Sequence, residues 1–163
     1  MKGFGEKFAN KKYILNKKNN LSKEKIIQKA LLAHSKGNIE EAKKYYQFCI
    51  EQKIKDHRIF TNYGLILLSK QGKSRDAEVL FRHAIQSNPK DILAYFNLGK
   101  LLKDQGKLYE AELLFRKAIK IEPQNTLAHI NLGKLLKDQG KLYEAELLFR
   151  KAIKIEPQNT LAT

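Results

Sequence analysis

An exact internal repeat dominates this sequence, because residues 97–128 recur without change as residues 131–162. The two copies are offset by 34 residues, and a fixed period of this size is typical of a solenoid, in which each unit packs only on its neighbours. A residue that is copied into two adjacent units is poorly suited to be the single centre of a catalytic site. The repeat therefore indicates a binding surface and argues against an enzyme.

Two more divergent copies precede the identical pair. Small residues set the register at two positions of the unit: Ala30, Gly64, Gly99 and Gly133 at the first, and Gly37, Gly72, Gly106 and Gly140 at the second. The spacing admits one extra residue, between Gly64 and Gly72. We therefore predict four units, at residues 23–56, 57–91, 92–125 and 126–159, with a one-residue insertion in the second.

Helix-ending residues divide each unit into two helices. Gly106 follows a periodic apolar run and can adopt the left-handed conformation that ends a helix, while Pro123 cannot continue the helix before it. A side chain that can cap a helix N-terminus stands before each expected first helix: Ser22, Asp56, Asp91, Asn125 and Asn159. In the second helix, Ala111, Phe115 and Ala118 share one face at about 100° per residue. The pattern predicts an all-α chain of antiparallel helix pairs.

This arrangement resembles the tetratricopeptide repeat over residues 23–159. The third unit carries the family's residues at the family's spacings: Leu98, Gly99, Gly106, Ala111, Phe115, Ala118 and Pro123. Tyr95 stands where tryptophan is most typical, and the first unit has Lys29 and Ala30 in place of Leu-Gly. The resemblance implies a right-handed α-solenoid of four helix-turn-helix units, eight helices in all. It also implies a concave groove, lined by the first helix of each unit, that commonly holds a peptide or partner protein.

An amide side chain recurs on the face of the first helices that we expect to line this groove. The position is occupied by Gln28, Asn62, Asn97 and Asn131. A ladder of amides can hydrogen-bond the main chain of an extended peptide, because each amide donates and accepts. It resembles the asparagine ladder in the repeats of protein O-linked N-acetylglucosamine transferases. The other interpretation is that asparagine before Leu-Gly is simply a frequent consensus residue, and the sequence favours neither.

The expected groove changes character along its length. Its first half offers the apolar residues Ile27, Leu31, Leu65 and Leu68. Its second half offers a pattern that two units share: Phe96, Lys100 and Lys103 in the third unit, and Ile130, Lys134 and Lys137 in the fourth. We therefore expect a protein or peptide partner that combines an apolar portion with an acidic one.

The net charge of +15 invites a nucleic-acid interpretation. Lysines alternate with acidic residues along the helices, however, and the aromatic residues mostly occupy packing positions, so nucleic-acid binding is the disfavoured alternative. The four histidines show no metal-ligand spacing, and His129 takes the packing position of Tyr95 and Phe60. We predict no catalytic residue, no metal and no cofactor.

Residues 1–22 do not follow the period and carry six lysines against the single Glu6. We expect a disordered basic leader; the alternatives are an arm for an acidic partner, a membrane-surface anchor or a nucleic-acid arm. No apolar run approaches the roughly 18 residues of a membrane span or the core of a secretory signal. The lone Cys49 replaces an alanine of the other units and should be a buried small hydrophobe. Together these features favour the cytoplasm.

The last residues, 160–163, read as the truncated start of a fifth unit. No polar capping helix follows the fourth unit in this sequence, so we expect an open apolar face and self-association through it. The alternative is that the chain is the N-terminal, substrate-recruiting segment of a longer glycosyltransferase or sulfotransferase.

Overall fold

A computed structural model describes residues 23–69 and 73–157 of the chain. These residues form eight α-helices and no strand: α1 Lys23–Ser35, α2 Ile39–Glu51, α3 His57–Ser69, α4 Ser74–Ser87, α5 Ile92–Asp104, α6 Leu108–Ile121, α7 Thr126–Asp138 and α8 Leu142–Ile155. The predicted all-α solenoid is confirmed. The predicted disordered leader, the turn glycine Gly72 and residues 160–163 lie outside the described residues.

Each helix packs on the other member of its pair and on the adjacent pair, and the first helices of neighbouring pairs also touch. Contacts therefore follow the chain order in one dimension. The core is correspondingly continuous: one cluster of buried residues runs from α3 to α8, and a second joins α1 and α2 to α3.

The turn glycines adopt the backbone that the sequence predicts. Gly37, Gly106 and Gly140 have φ angles of 75°, 77° and 76°, a region in which a residue with a Cβ atom is strained. Each turn reverses the chain between the two helices of a pair. The predicted division of each of these units into two helices is confirmed.

The glycines inside the first helices serve a different purpose. A Cβ atom at Gly99 would lie 2.8 Å from the ring of Phe115, closer than van der Waals contact allows. Gly64 and Gly133 stand in the same relation to the aromatic rings of α4 and α8. Glycine at this position lets the two helices of a pair approach until the ring fills the space between them.

Capping residues begin the first helices as expected. The Asp91 and Asn125 side chains accept hydrogen bonds from the backbone N–H groups of Ala94 (3.1 Å) and Ala128 (3.0 Å). Asp56 accepts from the backbone N–H of Arg58 at 2.9 Å. Ser22 and Asn159 lie outside the described residues.

Asp91 also joins two units. Its Oδ2 atom lies 2.7 Å from His57 Nδ1 and accepts a hydrogen bond of 2.8 Å from Thr61 Oγ1. Both partners belong to α3, so one buried carboxylate links the first helix of one pair to the start of the next. We call this group of three residues the Asp91 joint.

Three individual predictions are settled by burial. Ile27 is 3% exposed and packs in the core, so its assignment to the groove is wrong. Its position in the unit is that of Thr61, which faces the next pair rather than the open surface. Cys49 is fully buried, and burial raises the pKa of its thiol to about 11. His129 is fully buried. The packing predictions for Cys49 and His129 are confirmed.

Candidate functional site

The groove is the surface of α1, α3, α5 and α7 that faces away from the second helices. Its asparagines share one geometry. In each of Asn62, Asn97 and Asn131, Nδ2 donates a hydrogen bond of 2.8 Å to the main-chain oxygen four residues earlier. This bond uses one of the two amide N–H groups. Within residues 23–69 and 73–157 the remaining N–H and the Oδ1 atom have no hydrogen-bond partner, so each amide can still donate once and accept.

Gln28 holds the same position in α1 but not the same geometry. Its Nε2 atom lies 3.3 Å from Glu24 Oε1 on the helix surface. The longer side chain reaches a neighbouring side chain instead of the helix main chain. The three asparagines therefore form a regular series, which α1 does not continue.

In the basic half of the groove, one lysine forms an ion pair and three form none with the described residues. Lys103 Nζ lies 3.2 Å from Asp138 Oδ2 in the following pair. Lys100, Lys134 and Lys137 are exposed and pair with no acidic residue in the described part of the chain. The ion pair with Asp138 neutralises the charge of Lys103. The other three lysines make no such pair with the described residues.

A cavity of about 520 Å³ opens on this surface between α3 and α5. Its lining includes Leu65 and Leu68 from α3 and Asn97, Lys100 and Asp104 from α5. The fold therefore brings together an apolar residue, a ladder amide and a free lysine that the sequence assigned to the groove separately. Such a cavity can hold an apolar side chain while polar groups at its edge fix the orientation of the ligand.

Phe96, Ile130 and Leu31 are only half-buried. The ring of Phe96 packs edge-on against Phe115, with centroids 5.7 Å apart. Phe96 and Ile130 share their position in the unit with Thr61, and they lie at the boundary between successive first helices. Their accessible edges flank the asparagine series.

Two exposed leucines on this surface are absent from the sequence-based assignment. Leu93 is 65% exposed and Leu127 is 59% exposed, and their main-chain oxygens accept the bonds from Asn97 and Asn131. Residues four apart share a face of a helix, so both side chains lie beside the asparagines. The four-residue spacing between each leucine and its asparagine indicates from the sequence alone that they share a face. A leucine in the first turn of a helix is commonly a packing residue, however, and neither was assigned to the groove.

In the first two units, the position of these leucines carries opposite charges. Arg58 donates to both carboxylate oxygens of Glu24, at 3.1 and 2.8 Å, and also to Asp56. Hydrogen bonds from Arg58 lower the pKa of Glu24. Burial opposes ionisation of Asp56, but the bonds from Arg58 outweigh it and the pKa of that carboxyl is also lowered. At this position the half of the groove formed by α1 and α3 is therefore charged and internally neutralised, whereas the half formed by α5 and α7 is apolar.

Profile models of the tetratricopeptide repeat match residues 26–53, 92–125 and 126–159, more than half of the chain. The chain belongs to the tetratricopeptide repeat family. The sequence-based recognition of this family is confirmed. No curated protein gives a significant match to the sequence.

Solved structures of tetratricopeptide repeat proteins have the same fold. MamA superposes with a TM-score of 0.78 at 20% identity, over 92% of this chain and 86% of MamA. MamA from Desulfovibrio magneticus RS-1 gives a TM-score of 0.73 at 18% identity, over 93% and 84%. YrrB, described as a tetratricopeptide repeat protein with an unusual peptide-binding site, gives 0.70 at 24% identity, over 82% and 68%. None of the helices within residues 23–69 and 73–157 is long and apolar enough to cross a membrane.

Proposed function

We propose that this protein is a non-catalytic scaffold that binds an extended segment of a partner protein in its groove. The observation that carries the proposal is the cavity between α3 and α5, where Leu65, Asn97 and Lys100 meet. A peptide needs all three kinds of group: a recess for a side chain, an amide for its main chain and a charge for its acidic residues. The peptide-binding site for which YrrB is described lends support from the same fold.

The partner should combine acidic and apolar residues. Lys100, Lys134 and Lys137 are unpaired within the described residues, so an acidic partner gains attraction without first breaking an ion pair. Leu93 and Leu127 expose apolar surface beside them. Charges of this kind mainly steer association and select partners, while apolar contacts supply affinity.

The asparagine series would hold the main chain of the bound peptide. Each asparagine is fixed by a bond to its own helix, so little side-chain entropy is lost when its second N–H and its Oδ1 atom engage a ligand. Main-chain recognition tolerates many peptide sequences. Discrimination between peptides would then depend on the cavity and on the unpaired lysines.

The experiment measures the affinity of two triple variants for peptides that combine leucine with glutamate. The same peptides with lysine in place of glutamate serve as the comparison ligands. Reversing Lys100, Lys134 and Lys137 to Glu should weaken binding of the acidic peptides by about tenfold or more. The matched control reverses Lys117, Lys120 and Lys151, which are exposed on the second helices and change the net charge equally. Fluorescence anisotropy measures affinity, and circular dichroism checks that both variants fold.

Equal losses in both triple variants would show that only net charge matters, and would contradict a groove site. So would equal affinity for the glutamate and lysine peptides, or binding that is insensitive to salt, because exposed charges are screened.

No specific observation favours an appended glycosyltransferase or sulfotransferase domain, or a nucleic acid as the ligand. The cytoplasmic location that the sequence favours is part of the same proposal.

A further inference from the structure

A second cavity opens outside the groove, at the edge of the solenoid where α2 ends, α3 begins and α4 ends. Its volume is about 580 Å³, which lies within the range of ligand-binding pockets. We call it the edge cavity; its lining includes the apolar residues Ile50, Ile54 and Phe60 and the exposed polar residues Lys53, Lys55 and His83. None of these residues lines the cavity between α3 and α5.

The lining combines an apolar base with positively charged edges. Ile54 and Phe60 are each 8% exposed, so they form the buried part. Lys53 and Lys55 are exposed and pair with no acidic residue in the described part of the chain. The ring of His83 lies edge-on to that of Phe60, with centroids 5.6 Å apart, and its nitrogens have no hydrogen-bond partner within residues 23–69 and 73–157. No acidic residue is among the described residues that line the cavity.

The backbone of the linker between α2 and α3 holds the two lysines at this edge. Lys53 has a φ angle of 55°, whereas the equivalent residues Asn88 and Glu122 have φ angles of −141° and −132°. The N–H of Ile54 donates to the main-chain oxygen of Cys49 at 3.0 Å, a bond typical of helices that end in this way. The turn buries Ile54 and leaves a lysine exposed on each side of it. Glycine is the usual residue at such a position, so the turn itself does not account for a lysine.

The next unit carries larger side chains at two equivalent positions. Ser87 corresponds to Ile121, which is half-buried and packs in one cluster with Tyr95. Tyr95 in turn corresponds to Phe60, which lacks the hydroxyl group. Both differences remove atoms from the space between the end of α4 and the first turn of α3. The recess at the edge cavity follows from these smaller side chains.

We propose that the edge cavity binds an acidic segment of a partner protein, which inserts one large apolar side chain. The apolar base takes that side chain, Lys53 and Lys55 pair with flanking carboxylates, and His83 can donate a further hydrogen bond. The polar residues are exposed around the recess, so a chain segment that extends beyond it reaches all of them. Residues 1–22 carry six lysines against the single Glu6, so this segment and the edge cavity carry the same charge.

The proposal does not depend on the function proposed for the groove, because the two cavities have separate linings. A partner that carries a segment for each site would bind more tightly through both than through either.

A residue-resolved titration of the full chain tests the proposal. The probe is a peptide with one phenylalanine flanked on each side by two glutamates, and two-dimensional NMR follows the amide signals. The amides of Ile54, His83 and Ser87 should shift together with one dissociation constant. These residues lie outside the exact repeat, so each has its own sequence environment and its own signal. The amides of Leu65 and Leu68 report on the groove, so failure at one site is distinguishable from failure at the other.

A double variant removes the two charges without disturbing the turn. Glycine adopts a positive φ angle without strain, so K53G/K55Q should keep or raise the free energy of unfolding, which urea unfolding measures. The variant should lower the affinity at the edge cavity by about fivefold or more. The matched control is K90Q/K120Q, which removes two exposed lysines from the equivalent edge of the next unit. It should change the affinity by less than about twofold.

A second variant fills the recess without changing the charge. Ser87→Ile installs the residue that stands at the equivalent position 121, where it packs in the cluster of Tyr95. The affinity for the phenylalanine peptide should fall by roughly tenfold or more, because the side chain of the ligand loses its space. A peptide with alanine in place of phenylalanine should bind the wild type and this variant equally.

The proposal is overturned if the amides of Ile54, His83 and Ser87 do not shift at millimolar peptide. It is also overturned by equal losses in K53G/K55Q and K90Q/K120Q, or by equal affinity for a peptide with lysine in place of glutamate. Binding of N-acetylphenylalanine as tightly as the peptide would assign the cavity to a small acid and not to a partner protein.

Discussion

At the scale of single residues, the asparagines of the groove show how one side chain can serve both fold and ligand. A hydrogen bond to the main-chain oxygen four residues earlier accounts for one N–H group of Asn62, Asn97 and Asn131. That bond explains why asparagine is tolerated within these helices, although its helix propensity is low. It leaves an acceptor and a donor that the fold does not use.

Changing all three asparagines to alanine should therefore separate the two roles. The lost exposed bonds and the better helix propensity of alanine, about half a kcal/mol per site, roughly cancel, so the free energy of unfolding should change by less than about 1 kcal/mol in total. Peptide binding should weaken by about 1 kcal/mol for each ligand bond removed. Urea unfolding and peptide titration on one sample measure both.

If the triple variant unfolds at much lower urea concentration, the asparagines are part of the fold. If binding is unchanged in a stable variant, asparagine is only a frequent consensus residue here.

At the scale of helices, the Asp91 joint sets how α5 starts relative to α3. One buried carboxylate accepts from a helix N-terminus and from Thr61, and lies 2.7 Å from His57 Nδ1. Asn125 begins α7 in the same way, but within the described residues its side chain makes only the cap bond to Ala128 and a surface bond to Glu122. The relative orientation of α3 and α5 matters for function, because the cavity lies between them.

Replacing Asp91 by Ala should cost about 2–4 kcal/mol of stability, since it removes a cap and leaves the buried hydroxyl of Thr61 and the half-buried ring of His57 without their partner. Asn125→Ala is the matched control and should cost about 1 kcal/mol, the value of a cap alone. Chemical unfolding measures both. Equal losses would mean that the bonds to His57 and Thr61 add nothing.

At the scale of the whole molecule, stability should be distributed along the solenoid instead of residing in one core. Each helix pair touches only its neighbours, and the largest cluster of buried residues spans α3 to α8. Phe149 of α8 is more exposed than its equivalent Phe115 in α6, because among the described residues the pair of α7 and α8 packs against one other pair and not two.

Native-state hydrogen exchange should consequently reveal a gradient of protection. Amides of α5 and α6 should exchange most slowly, and those of α8 faster by roughly tenfold or more, because α5 and α6 contact described pairs on both sides whereas α7 and α8 contact one on a single side. The comparison of α6 with α8 is stringent, since these two helices have the same sequence within one chain. Uniform protection along the described helices would contradict the prediction.

The repeated sequence was sufficient to predict the helix pairs, the left-handed turn glycines, the caps of α3, α5 and α7, and the family. These features depend on local backbone geometry and on contacts that recur in each unit, so a single period encodes them. The division into units at the stated residues, and the assignment of the leader, remain predictions.

Tertiary structure alone decided which side chains stay accessible. Ile27 and Phe96 hold the same position in the unit, yet one is buried and the other half-buried, because what covers them depends on the next pair. The pairing of Lys103 with Asp138 and the cavity beside Leu65 likewise join residues of different units. Helices α6 and α8 have one sequence and two environments, since Phe115 is 1% exposed and its equivalent Phe149 is half-buried. A period in the sequence specifies the unit, whereas the rotation and presence of a neighbouring unit determine which of its residues are free to bind.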